Sequence, residues 1–302
     1  MYEFWRLNRM LFMPACRLYA RHAAAKNVSS RIMTFLSSLE FMMVHYYWPS
    51  FVKPGTFSEK IWRRMLFDRN QQFILLSDKW RMRAYVASKA AGEYLVPLLW
   101  HGDDPNRIPF EDLPDKFVAK ATHGRDYNLL VRDKKLVDPA KVRFQLSKWL
   151  LTNYGDTFGL GTEWCYRHVL PSITIEEFLE EDGRHVVDHK FWCFSGRVEC
   201  VTVHLNRQER HVTLTFNRDF EPYRYPFPLN DPKQKICCPP GFDKMVGLAE
   251  TLTNDFDFMR VDMYNVNGRI MVGEFTVYPG GGFLRFVPPE LDSMLGTMWP
   301  DS

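Results

Sequence analysis

The sequence of 302 residues lacks the features that mark several large classes of protein. It has six cysteines, and no Cys-x-x-Cys pair or spacing typical of a zinc module. Sparse, irregular cysteines indicate reduced thiols, and with no recognisable secretory signal they predict a cytoplasmic protein. The apolar stretch over residues 32–48 is interrupted by Ser37, Ser38, Glu40 and His45, so it is a poor transmembrane span. We find no internal repeat and no low-complexity tract.

Excess charge of either sign is also missing. Lys and Arg number 39 against 36 Asp and Glu, a net charge of +3, which predicts no nucleic-acid partner. The fractions of hydrophobic (46%) and charged (25%) residues exclude disordered and fibrous proteins. Aromatic residues, by contrast, are abundant, with 9 Trp, 13 Tyr and 24 Phe. They can fill a large core or contact sugars, bases or a membrane.

The first 50 residues differ from the rest of the chain. They contain six basic residues and two acidic ones, and their apolar residues recur at helical spacing. One interpretation is a helical cap that packs on the core. The other is a basic, aromatic patch that contacts a membrane surface peripherally, at the inner face of the membrane.

Helical and strand patterns alternate early and strands dominate later, so we expect the α+β class. The pattern predicts a helix over residues 77–91, capped by Ser77 or Asp78, and a strand over 94–99. Near the end, strands over 258–264 and 269–275 are joined by a turn with an Asn-Gly pair, a strong hairpin signal.

This hairpin carries the strongest chemical signal. Side chains alternate along a strand, so Arg260 and Asp262 share one face, as do Glu274 and Thr276 on the partner strand. If the register pairs these faces, two carboxylates meet in an apolar sheet, which is costly unless a cation compensates them. Mg²⁺ suits such ligands because it prefers carboxylate oxygens and phosphates. The alternative is a simple Arg260–Asp262 ion pair with Glu274 facing solvent.

Two further segments contain basic residues at positions from which they could bind a phosphate. Lys120 ends an apolar strand and is followed by a turn-rich loop in which Gly124 allows close approach of the backbone. Lys79, Arg81 and Arg83 cluster at a predicted helix start, where the helix dipole disfavours cations unless they face an anion. The alternatives are an ordinary strand-end lysine and a solvated basic face.

The order of these parts resembles the ATP-grasp superfamily, and within it the TupA-like family of surface-polysaccharide proteins. The resemblance covers roughly residues 55–298. It is carried by residues 57–62, 76–79, 113–120, 123–124, 176–179, 188–196, 260–264 and 273–282. It implies two α+β lobes that grip ATP, preceded by a helical extension. The implied parts are an extension (1–52), a region before the ATP-grasp core (53–112), a small lobe or lid (113–178) and a large lobe with the metal site (179–302).

The resemblance also implies roles at the phosphate end of a nucleotide. Lys79 and Lys120 resemble the two lysines that contact ATP phosphates, and Gly124 lies in the adjoining loop, a candidate lid. Lys190 and Arg207 are weaker candidates for binding phosphate or acceptor. Each of these two residues has an equally good structural explanation.

At the adenine end, residues 175–179 leave a strand, and their backbone groups can pair with the edge of a planar base. By resemblance, the side chain of Glu176 accepts the adenine amino group. The backbone of Glu177 and Leu179 would then hold the edge of the ring.

The resemblance makes Asp262 and Glu274 the Mg²⁺ ligands, with Mn²⁺ as a substitute. Thr276 is the third metal-ligand candidate. It stands where many members of the superfamily have a metal-binding asparagine, and its hydroxyl is a weaker ligand than an amide oxygen. Arg260 resembles the arginine that stabilises a tetrahedral or phosphoryl intermediate, and Lys79 and Lys120 assist it in catalysis.

These parts imply an ATP- and Mg²⁺-dependent carboxylate–amine ligase that works through an acyl phosphate. Its substrates would be a uronic-acid carboxyl of a bacterial surface polysaccharide and an amine or amino acid. A glycosyltransferase is an alternative, because Asp255-Phe256-Asp257 has the Asp-x-Asp form that binds a metal and a sugar diphosphate. A phosphotransferase on the same fold and a non-catalytic scaffold are the others, although the retained Lys120, Asp262 and Glu274 argue against a scaffold. The sequence does not predict the oligomeric state.

Overall fold

The computed structural model describes residues 30–300 except 91, 153, 155–162, 182–183, 206–210, 226, 228–230 and 232. The sequence predictions for residues 1–29 and for Arg207 therefore lie outside the described residues. The described helices are α1 (Ser30–His45), α2 (Phe57–Phe67), α3 (Gln72–Ser77), α4 (Met82–Lys89), α5 (Pro139–Leu150), α6 (Phe242–Thr253) and α7 (Pro289–Met298). The described strands are β1 (Leu98–Gly102), β2 (Phe117–Ala121), β3 (Asn128–Val131), β4 (Ile173–Glu177), β5 (Glu180–Glu181), β6 (Arg184–His185), β7 (Asp188–Phe194), β8 (Arg197–Leu205), β9 (Val212–Asn217), β10 (Phe258–Val266) and β11 (Arg269–Thr276).

Two larger antiparallel sheets organise these elements, and β5 and β6 form a separate two-stranded sheet. The small sheet has the strand order β1-β4-β2-β3, and the large sheet has the order β11-β10-β7-β8-β9. Consecutive strands of the large sheet are mostly hairpin partners, as expected for short connections. The predicted α+β class is confirmed. The division into four parts stays a prediction, and the small sheet takes β1 from the stretch 53–112.

Two hairpins of the large sheet, β10–β11 and β7–β8, close with two-residue turns. Asn267 and Gly268 have φ of 52° and 86°, and Ser195 and Gly196 have φ of 47° and 74°. Positive φ at both central residues is the type I′ geometry that matches the twist of paired strands. The Asn-Gly signal in the sequence was therefore sufficient to place the β10–β11 hairpin.

The two faces of the large sheet differ in character. Residues such as Phe191, Val201 and Met263 are fully buried on the face against α6, which contributes Met245 and Leu252. Side chains alternate between faces along a strand, so the intervening positions form the opposite face. That opposite face is largely polar, which is unusual for a buried surface and indicates that it lines a site.

Two sequence predictions of local structure were wrong. The helix expected over residues 77–91 begins only at Met82, because α3 ends at Ser77 and residues 78–81 form a turn. The Asp78 side chain accepts hydrogen bonds from the amides of Trp80 and Arg81, which stabilises a turn between the two helices. The strand expected over 94–99 instead begins at Leu98, since Pro97 cannot donate to a ladder.

Helix α1 packs its carboxyl end against α2 and against the segment that follows β11. The Phe41 ring lies 5.8 Å from that of Trp62, and His45 Nε2 lies 2.9 Å from the carbonyl oxygen of Gly282. The helix ends at His45 because Tyr46 has a φ of 66°. Among the residues that the structure describes, no helix is both long enough and apolar enough to cross a bilayer.

The contact at His45 predicts a pH dependence of stability. Burial lowers the pKa of His45 to about 4, although the Gly282 hydrogen bond opposes the shift. Because the folded protein binds this proton more weakly than the unfolded chain, stability is lost as the pH falls from 6.5 towards 4. The free energy of unfolding of His45→Gln minus that of wild type should therefore be roughly 2 kcal/mol larger at about pH 5 than at about pH 7.5.

This difference is measured by urea unfolding of both proteins at the two pH values. Glu163 and Asp292 have raised pKa values, about 7 and about 6, because they are buried. Their protonation stabilises the fold in the same pH range, so the wild-type trend alone is not diagnostic. Identical pH profiles for wild type and His45→Gln would contradict the prediction.

Candidate active site

A cavity of about 350 Å³ lies between the polar face of the large sheet and the small sheet. Lys120 and Asn128 reach it from β2 and β3, and Lys79 reaches it from the turn after α3. The predicted site residues that line it are Lys79, Lys120, Lys190, Arg260, Asp262, Glu274 and Thr276. Residues from distant parts of the chain therefore converge on one cavity, as the sequence predicted.

The strand register aligns the polar residues of the large sheet in rows. Glu274 of β11 lies opposite Asp262 of β10, which lies opposite Lys190 of β7, which lies opposite Thr202 of β8. Cross-strand partners project from the same face. The two carboxylates therefore share the cavity face, and Glu274 is not on a separate solvent side.

A β-bulge at Gly273 creates this register. The hairpin pairs Met263 with Val272 but Asp262 with Glu274, so Gly273 is the extra residue on β11. Without the bulge, Gly273 would oppose Asp262. A Cβ atom at Gly273 would lie 2.7 Å from the ring of Tyr264, so a larger residue would displace that ring. Sequence reasoning missed this role, although glycine within a strand is a known bulge signal.

Asp262 is held by two cations. Arg260 Nε and Nη2 donate to Oδ1 and Oδ2, each at 2.7 Å, and Lys190 Nζ also contacts Oδ2. Burial raises the pKa of this carboxyl, but Arg260 and Lys190 outweigh burial and hold its pKa well below the usual range. Arg260 Nη2 also donates to the Thr276 hydroxyl at 2.8 Å. Asp262 therefore stays ionised, and Thr276 orients Arg260.

Glu274 is more accessible than Asp262. Its side chain is 35% exposed, and its Oε2 lies 3.7 Å from Lys79 Nζ. Lys79 is buried, and its ammonium donates to the carbonyl oxygen of Gly124. Burial lowers the pKa of Lys79, while Glu274 opposes the shift. Glu274 therefore lies between Asp262, the other candidate metal ligand, and Lys79, a candidate phosphate-binding residue.

The donor set suits a magnesium ion that is shared with phosphates. Asp262 and Glu274 provide two carboxylates across adjacent strands. Over the described ranges of the chain, no group of three or more His, Cys, Asp or Glu forms an all-protein metal site. Mg²⁺ is commonly bound by one or two carboxylates together with substrate phosphates and water. The residues present therefore fit that cation.

Lys120 and Glu176 form an ion pair at the edge of the cavity. Lys120 Nζ lies 2.6 Å from Glu176 Oε2, and Arg83 lies 3.6 Å from Oε1. β4 lies between β1 and β2, so its backbone is paired with a neighbouring strand on each side as far as Glu177. The Glu177 amide donates to Pro97 O. The unpaired backbone expected here can therefore begin only after Glu177.

The loop after β2 is anchored at its start. The Thr122 amide donates to Ser172 O at 2.9 Å, and His123 is buried with Nε2 at 3.0 Å from two carbonyl oxygens of the α5 end. A Cβ atom at Gly124 would lie 2.6 Å from the Tyr154 ring. Glycine is therefore required for close packing here. The lid function suggested for this loop stays a prediction.

The cavity also contains charged residues that the sequence did not reveal. Glu163 is buried, its pKa is raised to about 7 by burial, and its Oε2 lies 3.9 Å from Arg125. Asp188 pairs with Lys190 at 2.8 Å, a contact that their two-residue spacing on one strand could have indicated. Glu163 precedes a short 3-10 helix and gives no sequence pattern.

The Asp-x-Asp tripeptide does not contribute to this cavity. Asp257 pairs with Arg64 and accepts a hydrogen bond from Trp299 Nε1 at 2.7 Å. Asp255 pairs with Lys89 at 2.6 Å on the surface. Neither aspartate lines the cavity, so the sequence feature that favoured a glycosyltransferase has a structural role instead.

A family model and several solved structures are similar to the chain. No curated protein sequence matches the chain. Two similar solved structures are D-alanine–D-alanine ligases, from Bacillus anthracis in complex with ATP (13% identity, TM-score 0.46) and from Helicobacter pylori (14%, 0.40). The alignments cover 74% and 76% of this chain, and the chain spans under two thirds of each ligase, 65% and 60%. A family model described as TupA-like ATPgrasp matches residues 59–299, well over half of the sequence. The chain therefore belongs to the TupA-like ATP-grasp family.

Proposed function

We propose that this protein is an ATP- and Mg²⁺-dependent ligase that joins a carboxylate to an amine. The observation that carries the proposal is the convergence of Lys79, Lys120 and Arg260 with Asp262 and Glu274 on one cavity. Phosphoryl transfer depends mainly on positioning and charge stabilisation, which such a constellation supplies.

Charge balance supports a divalent cation as part of the bound nucleotide. The cavity is lined by five basic residues, Lys79, Lys120, Arg125, Lys190 and Arg260. It is also lined by five acidic residues, Asp126, Glu163, Asp188, Asp262 and Glu274. A triphosphate would therefore add net negative charge to a nearly balanced site. Magnesium, held by Asp262 and Glu274, supplies positive charge beside the phosphates when it is bound, and Mn²⁺ fits the same donors.

The side chains of the site have separate roles in binding the phosphates and in stabilising the transition state. Lys79 and Lys120 bind phosphate oxygens, and the rigidly held Arg260 stabilises the charge that develops on the transferred group. The substrate carboxylate attacks the γ-phosphorus and ADP leaves, which forms an acyl phosphate. The amine then attacks the acyl carbon, phosphate leaves, and the nitrogen loses one proton. Lys190 remains beside Asp262 as a further candidate for binding phosphate or acceptor.

At the adenine end, Glu176 has a double role in this proposal. Its carboxylate holds Lys120 and Arg83, and an ionised carboxylate has about four acceptor sites, so it can also accept the adenine amino group. The Glu177 amide is already bonded to Pro97 O. The edge of the base would therefore meet the backbone that follows Glu177, including that of Leu179.

For substrates, we propose a uronic-acid carboxyl of a bacterial surface polysaccharide and an amine or amino acid, used in the cytoplasm. The cavity continues past the carboxylates towards β8 and β9, where Thr202, His204 and Thr213 line it beside Trp192 and Phe227. Hydroxyl, imidazole and aromatic groups are suited to a polyhydroxylated substrate. The glycan assignment rests on the family resemblance.

A coupled ADP-release assay over uronic-acid glycans and amines tests the proposal. A ligase should release ADP and phosphate only when both acid and amine are present, and hydroxylamine should trap the activated acid as a hydroxamate. A phosphotransferase would leave the phosphate on its acceptor and yield no hydroxamate. ADP release with a single hydroxyl acceptor would contradict ligation.

A further inference from the structure

Helix α1 exposes several apolar side chains to solvent and buries several polar ones. Ser37, Ser38 and Glu40 are 0%, 5% and 2% exposed, whereas Ile32 and Phe35 are 39% and 55% exposed. An ordinary surface helix turns its apolar stripe towards the core, as Phe41 does near the carboxyl end of α1, but Ile32 and Phe35 do not follow this pattern. Packing of the core therefore does not explain why these apolar side chains of α1 face solvent.

The stripe continues into the turn after the helix. Tyr46, Trp48 and Val52 are 54%, 53% and 88% exposed. The rings of Phe35 and Trp48 lie 6.1 Å apart, which joins the helix stripe to the turn in one surface. We call Ile32, Phe35, Tyr46, Trp48 and Val52 the aromatic surface. Large exposed apolar patches of this kind mark interaction sites.

Cations surround the aromatic surface. Arg31 and Lys53 are exposed at its two ends, and Arg285 is exposed with its guanidinium 4.3 Å from the centre of the Tyr46 ring. Glu40 is the only acidic residue in the sequence from 30 to 55, and it is buried. The exposed charge of α1 and its following turn is therefore basic.

We propose that the aromatic surface binds the headgroup region of an anionic phospholipid membrane. Tyrosine and tryptophan favour the interface between headgroups and acyl chains, and nearby Lys and Arg are attracted to anionic lipids. Helix α1 has 16 residues and a length of about 24 Å, shorter than the hydrocarbon core, so it lies on the membrane rather than across it. The inference is independent of the reaction proposed above.

Co-sedimentation of the full chain with vesicles tests the proposal. Wild type should bind vesicles that contain phosphatidylglycerol and should bind phosphatidylcholine vesicles at least tenfold more weakly. Binding should weaken between about 0.1 M and about 0.5 M salt, because salt screens the basic residues. The double variant Phe35→Ser/Trp48→Ser should lose at least tenfold in vesicle affinity.

A matched double variant provides the control. Leu136 and Phe144 are 83% and 66% exposed elsewhere on the chain, so Leu136→Ser/Phe144→Ser removes similar apolar area and should bind as wild type does. Both variants should retain the wild-type ATP turnover and circular dichroism spectrum.

Three outcomes would overturn the proposal. The first is failure of wild type to bind anionic vesicles, and the second is equal binding by wild type and Phe35→Ser/Trp48→Ser. The third is a wild-type dimer in light scattering that this variant dissociates, with no vesicle binding. That result would assign the aromatic surface to a second copy of the chain.

Discussion

Glu274→Gln is expected to lower ATP-dependent turnover by about 100-fold or more without unfolding the protein. Glutamine keeps the size of the side chain but removes the charge that faces Asp262 across the hairpin. The Glu274 side chain is 35% exposed and its nearest cation, Lys79, is 3.7 Å away, so little folding energy depends on its charge. Turnover is measured by ADP release, and stability by urea unfolding.

Asp262→Asn should remove turnover as well, but at a cost in stability. Asp262 is buried between Arg260 and Lys190, and neutralising it leaves two buried cations without their main counter-ion. Breaking a buried ion pair in this way costs about 3–5 kcal/mol. The two variants therefore separate the catalytic role of the carboxylates from the structural one.

Glu180→Gln is the matched control, because Glu180 lies outside the cavity and forms an exposed pair with Lys116. It should keep wild-type turnover and stability. Full activity of Glu274→Gln would reject the magnesium assignment.

Lys120→Ala is expected to weaken ATP binding by about 10- to 100-fold, the value of a charge-assisted hydrogen bond. Lys120 enters the cavity from β2, and Glu176 fixes its ammonium at 2.6 Å. In the variant, Arg83 remains near Glu176 and limits the loss of stability. Affinity is measured by calorimetric titration with ATP and Mg²⁺.

Lys116→Ala controls for the loss of a lysine. Lys116 forms an ion pair of the same length, 2.6 Å, with Glu180, but it is exposed and does not line the cavity. Its substitution should leave ATP affinity within about twofold of wild type, since exposed pairs contribute little. Unchanged affinity in Lys120→Ala would remove Lys120 from the nucleotide site.

The hairpin at the centre of the site could be predicted because its signals are local. Alternation along β10 and β11 and the Asn267-Gly268 turn decide which residues share a face. The sequence left two interpretations open, an Arg260–Asp262 ion pair or a metal site. The structure contains the ion pair and also aligns Glu274 with Asp262, so the two interpretations are compatible.

The features that escaped prediction depend on tertiary contacts. The backbone of the bulge at Gly273 packs closely against the ring of Tyr264. The break between α3 and α4 is a local exception, because the Asp78 side chain accepts hydrogen bonds from amides two and three residues later. The burial of Glu163 and its contact with Arg125 join residues that are 38 positions apart in numbering, and no short-range pattern encodes them. Helical periodicity likewise predicted a helix near 32–48 but not which face it exposes.

Calorimetric titration of wild type and Glu274→Gln with ATP, each with and without Mg²⁺, tests the central claim most directly. The claim is that the carboxylates of β10 and β11 hold a magnesium–nucleotide complex. It predicts saturable ATP binding by wild type that Mg²⁺ tightens by at least tenfold, and loss of most of that tightening in Glu274→Gln. Absence of ATP binding by wild type, or an equal effect of Mg²⁺ on both proteins, would contradict it.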